Sequence, residues 1–416
     1  VNIRTPTVAA IIIAMALLSG GPCAVSAEQA TSAAKAAGAT RESEIQVSLI
    51  TILPGKALYS AFGHSAIRVM DPRSGADVLF NYGFATKPFD LLFALNMLAG
   101  KMEFMAAVVD TQDSIVFYSQ EENRTIIEQR LALDDAQKAS MLSTLSMNVR
   151  PENRNYNYRY FSDNCATRPW KIIYSTAASA TASAQSLPRP TLRESIARVL
   201  AKRPWIGFAI DLMLGPGADA PVRASAPIFL PGELMDWTAG LPRAGTNGGD
   251  KLVESTEILY TAHPERGPGI DIPPLAVAVA LLAIALALSL FLRASHPAAI
   301  SFDAILFGAG AIVCLAIGLF WLSAGYGEVA WNLNLLWALP LPLIALVWGR
   351  GGRRDSRVAT ILFRIAAVAA GLVALLGGVG IQSIAPAMRL IALAISLRCL
   401  SRGIGTGRAI VQEKRG

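Results

Sequence analysis

Charge is scarce in this chain of 416 residues. Only 16% of them are charged while 53% are hydrophobic, a balance that excludes a single soluble globule. The net charge of +7 does not make a nucleic-acid binder. Such a partner needs a basic patch or stripe on a folded domain, whereas the densest basic runs here lie beside apolar segments, as membrane topology requires. No nucleic-acid partner, metal or cofactor is expected. Histidine and cysteine are scarcer still, three and four in the whole chain, so any thiol or imidazole chemistry has few candidates.

What is present begins with a leader. Arg4 lies in a short basic head, residues 8–18 are apolar, and Val25 and Ala27 are small residues ahead of Glu28. A helix needs about 20 residues to cross a ~30 Å hydrocarbon core, so this run is expected to be a secretory signal over 1–27, cleaved after Ala27, rather than an anchor. Residues 28–43, rich in Ala, Ser, Thr and Lys, form a tether without periodicity. Cleavage removes Cys23, while Cys314 and Cys399 lie in or at the edge of apolar segments. Cys165 is then alone in an exported domain over 44–262. An unpaired exported cysteine is either buried and inert or kept for its reactivity.

Alternation at Ile45, Val47 and Leu49 predicts a first strand ending at Pro54-Gly55, and 64–70 and 78–82 predict two more. A helix is expected over 89–98 and a strand over 124–133. Asp134 with Gln137 and Thr191 with Glu194 are capping-box patterns opening further helices. Tyr156, Tyr158 and Tyr160 alternate with polar residues, which places three rings on one face of an extended segment. That segment leads to Ser162, Asp163 and Asn164, all good N-cap residues, so Cys165 is expected in the first turn of a helix. Pro169 fits only near that helix's start, where a missing N–H costs little. Residues 175–186 read as a low-complexity loop, and helix and loop close the domain.

After a linker over 263–274 the composition changes. Five apolar segments, 275–292, 302–322, 332–348, 358–380 and 381–397, predict a membrane domain over 275–400, with a basic tail over 401–416. With the preceding domain outside, the basic residues after the first, third and fifth segments all fall on the cytoplasmic side. Arg364 lies two turns into the fourth segment, where it can snorkel. Arg389, in the fifth, is either on a re-entrant or surface helix or partners a buried lipid or carboxylate. The outer loop before the third segment carries Glu328, Asn332 and Asn334 beside Trp331 and Trp337. It is either an aromatic interface belt or the lining of an acyl or acceptor site.

A cysteine nucleophile needs a base within reach and gains from a helix N-terminus. His296 lies in a cytoplasmic loop and His263 just before the membrane, which leaves His64 at the start of a predicted strand. The order, His on a strand and Cys at a helix start about a hundred residues later, is that of circularly permuted papain-like enzymes. The runs PGKALYSAFGHSAIRV, FNYGFA, ENRTIIEQRLAL, NRNYNYRYFSDNCATR, GFAIDLMLGPGADA and WNLNLLWALPL resemble the Lnb family, named for a bacterial lipoprotein N-acyltransferase. The resemblance covers about 44–397. It implies an α+β circularly permuted papain-like (NlpC/P60-like) periplasmic domain followed by an all-α membrane domain of about five transmembrane helices, in the bacterial inner membrane with a cytoplasmic C-terminus. The sequence departs from the family's pattern at Pro169 and in an outer loop that has Gly327-Glu328 and no histidine.

With the resemblance come roles. Cys165 is the nucleophile and His64 the general base and then acid, with Asn81 or Tyr82 orienting the imidazole. The Cys165 N–H with Asn164 or Tyr59 holds the oxyanion. The expected partners are a membrane phospholipid or lipoprotein as acyl donor and a lipoprotein amino terminus as acceptor. A cell-wall or lipid amidase or hydrolase using the same dyad, and a catalytically silent membrane sensor, are the alternatives. Five spans favour the transferase, because a wall hydrolase needs only a tether.

Overall fold

The structure is a computed structural model and describes residues 45–86, 92, 96, 100–178, 189–223, 226–243, 250–264, 272–324, 326–349, 353–377 and 379–413. The leader, the tether, nearly all of the helix expected over 89–98 and most of the loop expected over 175–186 lie outside the described residues. Two compact units are formed. One runs to Pro190 and resumes over Val222–Arg266; the other joins Thr191–Pro221 to Gly267–Gly416.

In the first unit, seven strands make one antiparallel sheet. They are β1 (Gln46–Ile52), β2 (His64–Asp71), β3 (Ala76–Ala85), β4 (Glu103–Asp110), β5 (Ile126–Leu131), β6 (Asn155–Asn157) and β7 (Val253–Tyr260), in the order β6-β4-β3-β2-β1-β5-β7. Register follows the pleat: Ile52 pairs with His64, and Ala66 with Asn81. Because successive side chains point to opposite faces, the sheet carries two cores. Val47, Leu49, Ile67, Val69, Phe80 and Tyr82 share one with Met141, Leu145, Trp170 and Trp237 from the covering helices. Ile50, Ile52, Ala66, Leu79 and Ile126 form a smaller one, against which Ile115 and Tyr118 pack.

Both capping boxes form. Asp134 opens the helix Asp135–Asn148 and Thr191 the helix Leu192–Val199, each with reciprocal side-chain and backbone bonds. The helix after the cysteine, Thr167–Ile173, starts two residues later than expected, so Cys165 precedes it. Pro169 is the third residue of that helix, in the first turn, where no intrahelical bond needs its N–H. The rings of Tyr156, Tyr158 and Tyr160 do cluster, with centroids 6.4 and 5.6 Å apart in succession.

In the second unit, three helices among the described residues are long and apolar enough to cross a membrane: Pro274–Phe291, Pro297–Leu322 and Arg357–Leu376. The third expected segment is instead broken into Asn334–Ala338 and Leu341–Trp348 with Pro340 between them. The fifth is part of a single helix, Pro386–Glu413, which continues through Arg398 and Arg402. Arg398 is fully buried rather than exposed at the end of a span. Its guanidinium binds both oxygens of buried Asp303 at 2.7 and 3.0 Å and Ser289 Oγ at 2.9 Å, and Arg402 binds the same carboxylate. Arg389 donates to the carbonyls of Ala374 (3.1 Å) and Leu375 (3.4 Å), capping the last turn of Arg353–Leu376.

The segment Thr191–Pro221, read from sequence as the closing part of the exported domain, clusters with these helices. Its Leu-Gly-Pro-Gly turn explains why. Gly215 N–H donates to the Glu328 carbonyl at 2.7 Å, and a Cβ on Gly215 would stand 2.2 Å from the Ala330 oxygen. A Cβ on Gly217 would stand 2.7 Å from the Gly327 oxygen. Only glycines permit so close a backbone approach. Arg193 locks the turn from within, bonding the Leu214 and Gly215 carbonyls and the carboxylates of Asp211 and Asp219.

Candidate thiol–imidazole site

The site lies wholly in the first unit. His64 opens β2, immediately after Gly63, whose φ of +86° and whose approach to the Ile52 carbonyl both call for glycine. By strand alternation His64 shares a sheet face with Ala66, and Asn81 on β3 shares that face too. His64 Nε2 lies 2.9 Å from Asn81 Oδ1. With a carbonyl oxygen as partner, Nε2 carries the ring proton and Nδ1 keeps its lone pair, so Nδ1 is the atom able to accept a proton. Burial holds the imidazole neutral, lowering its pKa from the ordinary 6.5 to about 4. The Asn81 bond opposes that shift, the Arg124 charge adds to it and Glu122 offsets it.

Tyr82, the alternative orienter, is the next residue on β3 and therefore points to the other face. It is fully buried in the main core, and its hydroxyl accepts from Asn148 Nδ2 at 3.0 Å. The pleat thus brings Asn81, not Tyr82, to His64.

Cys165 is a free, partly exposed thiol. A backbone hydrogen bond from Ser65, the residue beside His64, and a side-chain hydrogen bond from Tyr158 reach it. Burial pushes the thiol's pKa up, and these two bonds and the Arg124 charge pull it back down. Gly83, at φ +102°, passes close by: a Cβ there would lie 3.5 Å from the Tyr158 ring and 3.8 Å from Cys165 Cβ. No direct hydrogen bond among the described residues joins His64 to Cys165; they meet through neighbouring backbone on β2. Resting sites of this kind commonly tighten only when substrate is bound.

Asn164 fixes where the thiol sits, and it does so as a cap. Its Oδ1 accepts from the N–H groups of Ala166 and Thr167, both at 2.8 Å, and its Nδ2 donates to the Tyr160 and Phe229 carbonyls at 2.7 and 2.9 Å. Both amide hydrogens are spent, which leaves none for an oxyanion. Arg168 binds both oxygens of Asp163 at 2.8 and 2.9 Å and stacks 3.4 Å from the centre of the Tyr156 ring. Tyr59 is 55% exposed, and its hydroxyl bonds the Glu122 carboxylate.

The three candidates in the outer loop belong to the second unit. Glu328 enters its packing through the backbone carbonyl that Gly215 holds. Asn332 and Asn334 are buried, and both donate to the Leu212 carbonyl, at 2.9 and 3.2 Å. Asn332 Oδ1 accepts from the Asn334 N–H and from Gln382, while Asn334 Oδ1 accepts from Trp337. Both amides brace the loop from buried positions.

Residue patterns did not reveal Tyr158, Ser65, Gly83 or the pair Glu122–Arg124 as neighbours of the reactive groups. The adjacent runs NYG and ENR carried a partial signal, since Gly83 and Asn123 both adopt positive φ.

Two family comparisons match. Residues 33–200 match the family model of the Lnb N-terminal periplasmic domain, and residues 266–408 match that of the Lnb transmembrane domain. No curated protein and no solved structure matches the chain.

Proposed function

The chain belongs to the Lnb family, and from that premise we propose that it is a thiol acyltransferase of the inner membrane, moving an acyl chain from a lipid through Cys165 to the amino terminus of a lipoprotein. Family membership supplies the coarse outline, a lipoprotein-modifying membrane enzyme with a periplasmic and a transmembrane domain. The observation that carries the chemistry is the placement of the free Cys165 thiol against the Ser65 backbone, next to a neutral His64 whose Nε2 is held by Asn81. A strand histidine followed by a cysteine ahead of a helix also supports the circularly permuted papain-like description and a catalytic domain in the periplasm. The basic residues that follow the apolar segments favour a cytoplasmic C-terminus.

In the first half-reaction His64 Nδ1 takes the thiol proton, and the Cys165 sulfur attacks the acyl carbonyl carbon of an ester. As the tetrahedral adduct collapses the ester C–O bond breaks, and the departing alkoxide takes the proton from His64, leaving a thioester. In the second, a free amine attacks the thioester carbon and gives its proton to His64. The C–S bond breaks, an amide forms, and the sulfur recovers the proton. The Cys165 N–H is the donor best placed to meet the oxyanion, because the Asn164 amide is committed elsewhere.

The test is complementation of a strain that lacks lipoprotein N-acylation. Wild type, Cys165→Ser and His64→Ala are compared by mass spectrometry of a lipoprotein N-terminal peptide. Acyl gain with wild type alone, and an acyl adduct trapped on Cys165, are expected. No gain with wild type, or equal gain with both variants, would sink the transferase. Release of free fatty acid without amide formation would assign a hydrolase instead.

A further inference from the structure

Arg124 is 3% exposed, a rare position for a long cation. It reaches from two residues before β5 to the end of β1, with Nε donating to the Leu53 carbonyl at 2.9 Å and Nη2 3.5 Å from that of Ile52. Ile52 is the partner of His64 in the β1–β2 ladder. The side chain therefore grips the strand end against which His64 is set. Gly55 makes room for it: a Cβ there would stand 2.7 Å from Arg124 Cδ.

The remaining contacts lead to the same ring. Arg124 N–H donates to the Tyr118 carbonyl at 2.9 Å, and its guanidinium carbon lies 5.3 Å from the centre of the Tyr118 ring. The Tyr118 centroid is 6.0 Å from that of His64. Arg124 Nη1 pairs with Glu122 at 2.6 Å, and Glu122 also holds the Tyr59 hydroxyl. We propose that Arg124 is a positioning residue of this site, holding Tyr118 as a wall against the His64 ring and fixing a buried positive charge beside the thiol–imidazole pair.

The proposal rests on Cys165 and His64 being the reactive groups. The Tyr118 ring stands beside that of His64, and Arg168, paired with Asp163, lies over the Tyr156 ring; among the described residues, the groups that act on the pair are Arg124, Tyr156 and Tyr158 at the thiol, and Arg124 and Glu122 at the imidazole. Of these Arg124 alone brings a positive charge, which favours the thiolate over the thiol and neutral over protonated imidazole. A structural clasp that merely held β1 to β5 would stabilise the fold without changing the ionisation of Cys165.

The test is the pH dependence of Cys165 alkylation by iodoacetamide, read by peptide mass spectrometry on the full chain in detergent, with thermal unfolding measured in parallel. Arg124→Gln is expected to move the alkylation midpoint upward by about 0.5–1 pH unit, a three- to tenfold slower reaction near neutral pH. Arg124→Lys keeps the charge and is expected to restore most of the wild-type midpoint. Glu122→Gln, which leaves Arg124 charged, should not raise it and serves if Arg124→Gln does not fold. An unchanged midpoint in Arg124→Gln, or an equal rise in Arg124→Lys, would overturn the role of the charge; so would a raised midpoint in Glu122→Gln. His64→Ala separates this from the underlying chemistry. If it leaves the alkylation profile as in wild type, the imidazole reading fails, whatever Arg124 does.

Discussion

His64 gives the site its pH signature. Its folded pKa, about 4, is below the ordinary 6.5 of an unfolded histidine because burial disfavours the charged ring. Between those values the unfolded chain binds the proton and the folded chain does not, so acid favours unfolding there. The full contribution is present above pH 6.5, declines as pH falls, and is gone by about pH 4. His64→Gln should therefore show a shallower loss of stability than wild type across that window in chemical denaturation at several pH values. Equal slopes would show that the ring is solvated in the folded protein. At the same scale, one-residue alternation decides the orienter. Asn81 and Tyr82 are adjacent in sequence, but the pleat gives His64 only the first.

Among elements, the Leu-Gly-Pro-Gly turn in Thr191–Pro221 makes the most exacting demand. Gly215→Ala would force its Cβ to within 2.2 Å of the Ala330 oxygen, so either the turn or the outer loop must move. Overpacking of this kind costs about 1–3 kcal/mol, and Gly215 also holds the Glu328 carbonyl. The expected outcome is a lower thermal midpoint in detergent, whereas Gly232→Ala, where a Cβ meets nothing within 4 Å, should be close to neutral. Comparable midpoints for the two variants would mean the turn is not held as tightly as its geometry indicates. The helix that follows the cysteine is short, and its start depends on Asn164 rather than on a long apolar face: one side chain caps two N–H groups and ties down two carbonyls.

For the molecule as a whole, the most consequential charges are the ones hidden in the helical unit. Asp303 is fully buried and faces Arg398 and Arg402. Asp303→Ala would leave two guanidinium groups without their shared carboxylate, and breaking a buried pair from one side costs about 3–5 kcal/mol. Expression in the membrane and thermal stability should both fall, and replacing Arg398 and Arg402 as well by Met should recover part of the loss. No recovery in the triple variant would show that the charges are needed for more than mutual compensation.

Local pattern sufficed for the ordinary parts: the first three strands, both capping boxes, the change to an apolar C-terminal third, and the scarcity of thiols and imidazoles that singled out Cys165 and His64. These are carried by local patterns, in periodicity and caps, or by simple counting. β4 was illegible because its run of Ala and Val suits a helix equally well. β7 was illegible because an exposed edge strand has no buried face to pattern. Long-range packing alone brings Arg124 to the carbonyls of Ile52 and Leu53, at the strand end paired with His64, makes Asn332 and Asn334 brace a loop, and clusters Thr191–Pro221 with the membrane helices. Those outcomes depend on which buried polar groups find partners across long chain separations, and composition and spacing carry no record of that.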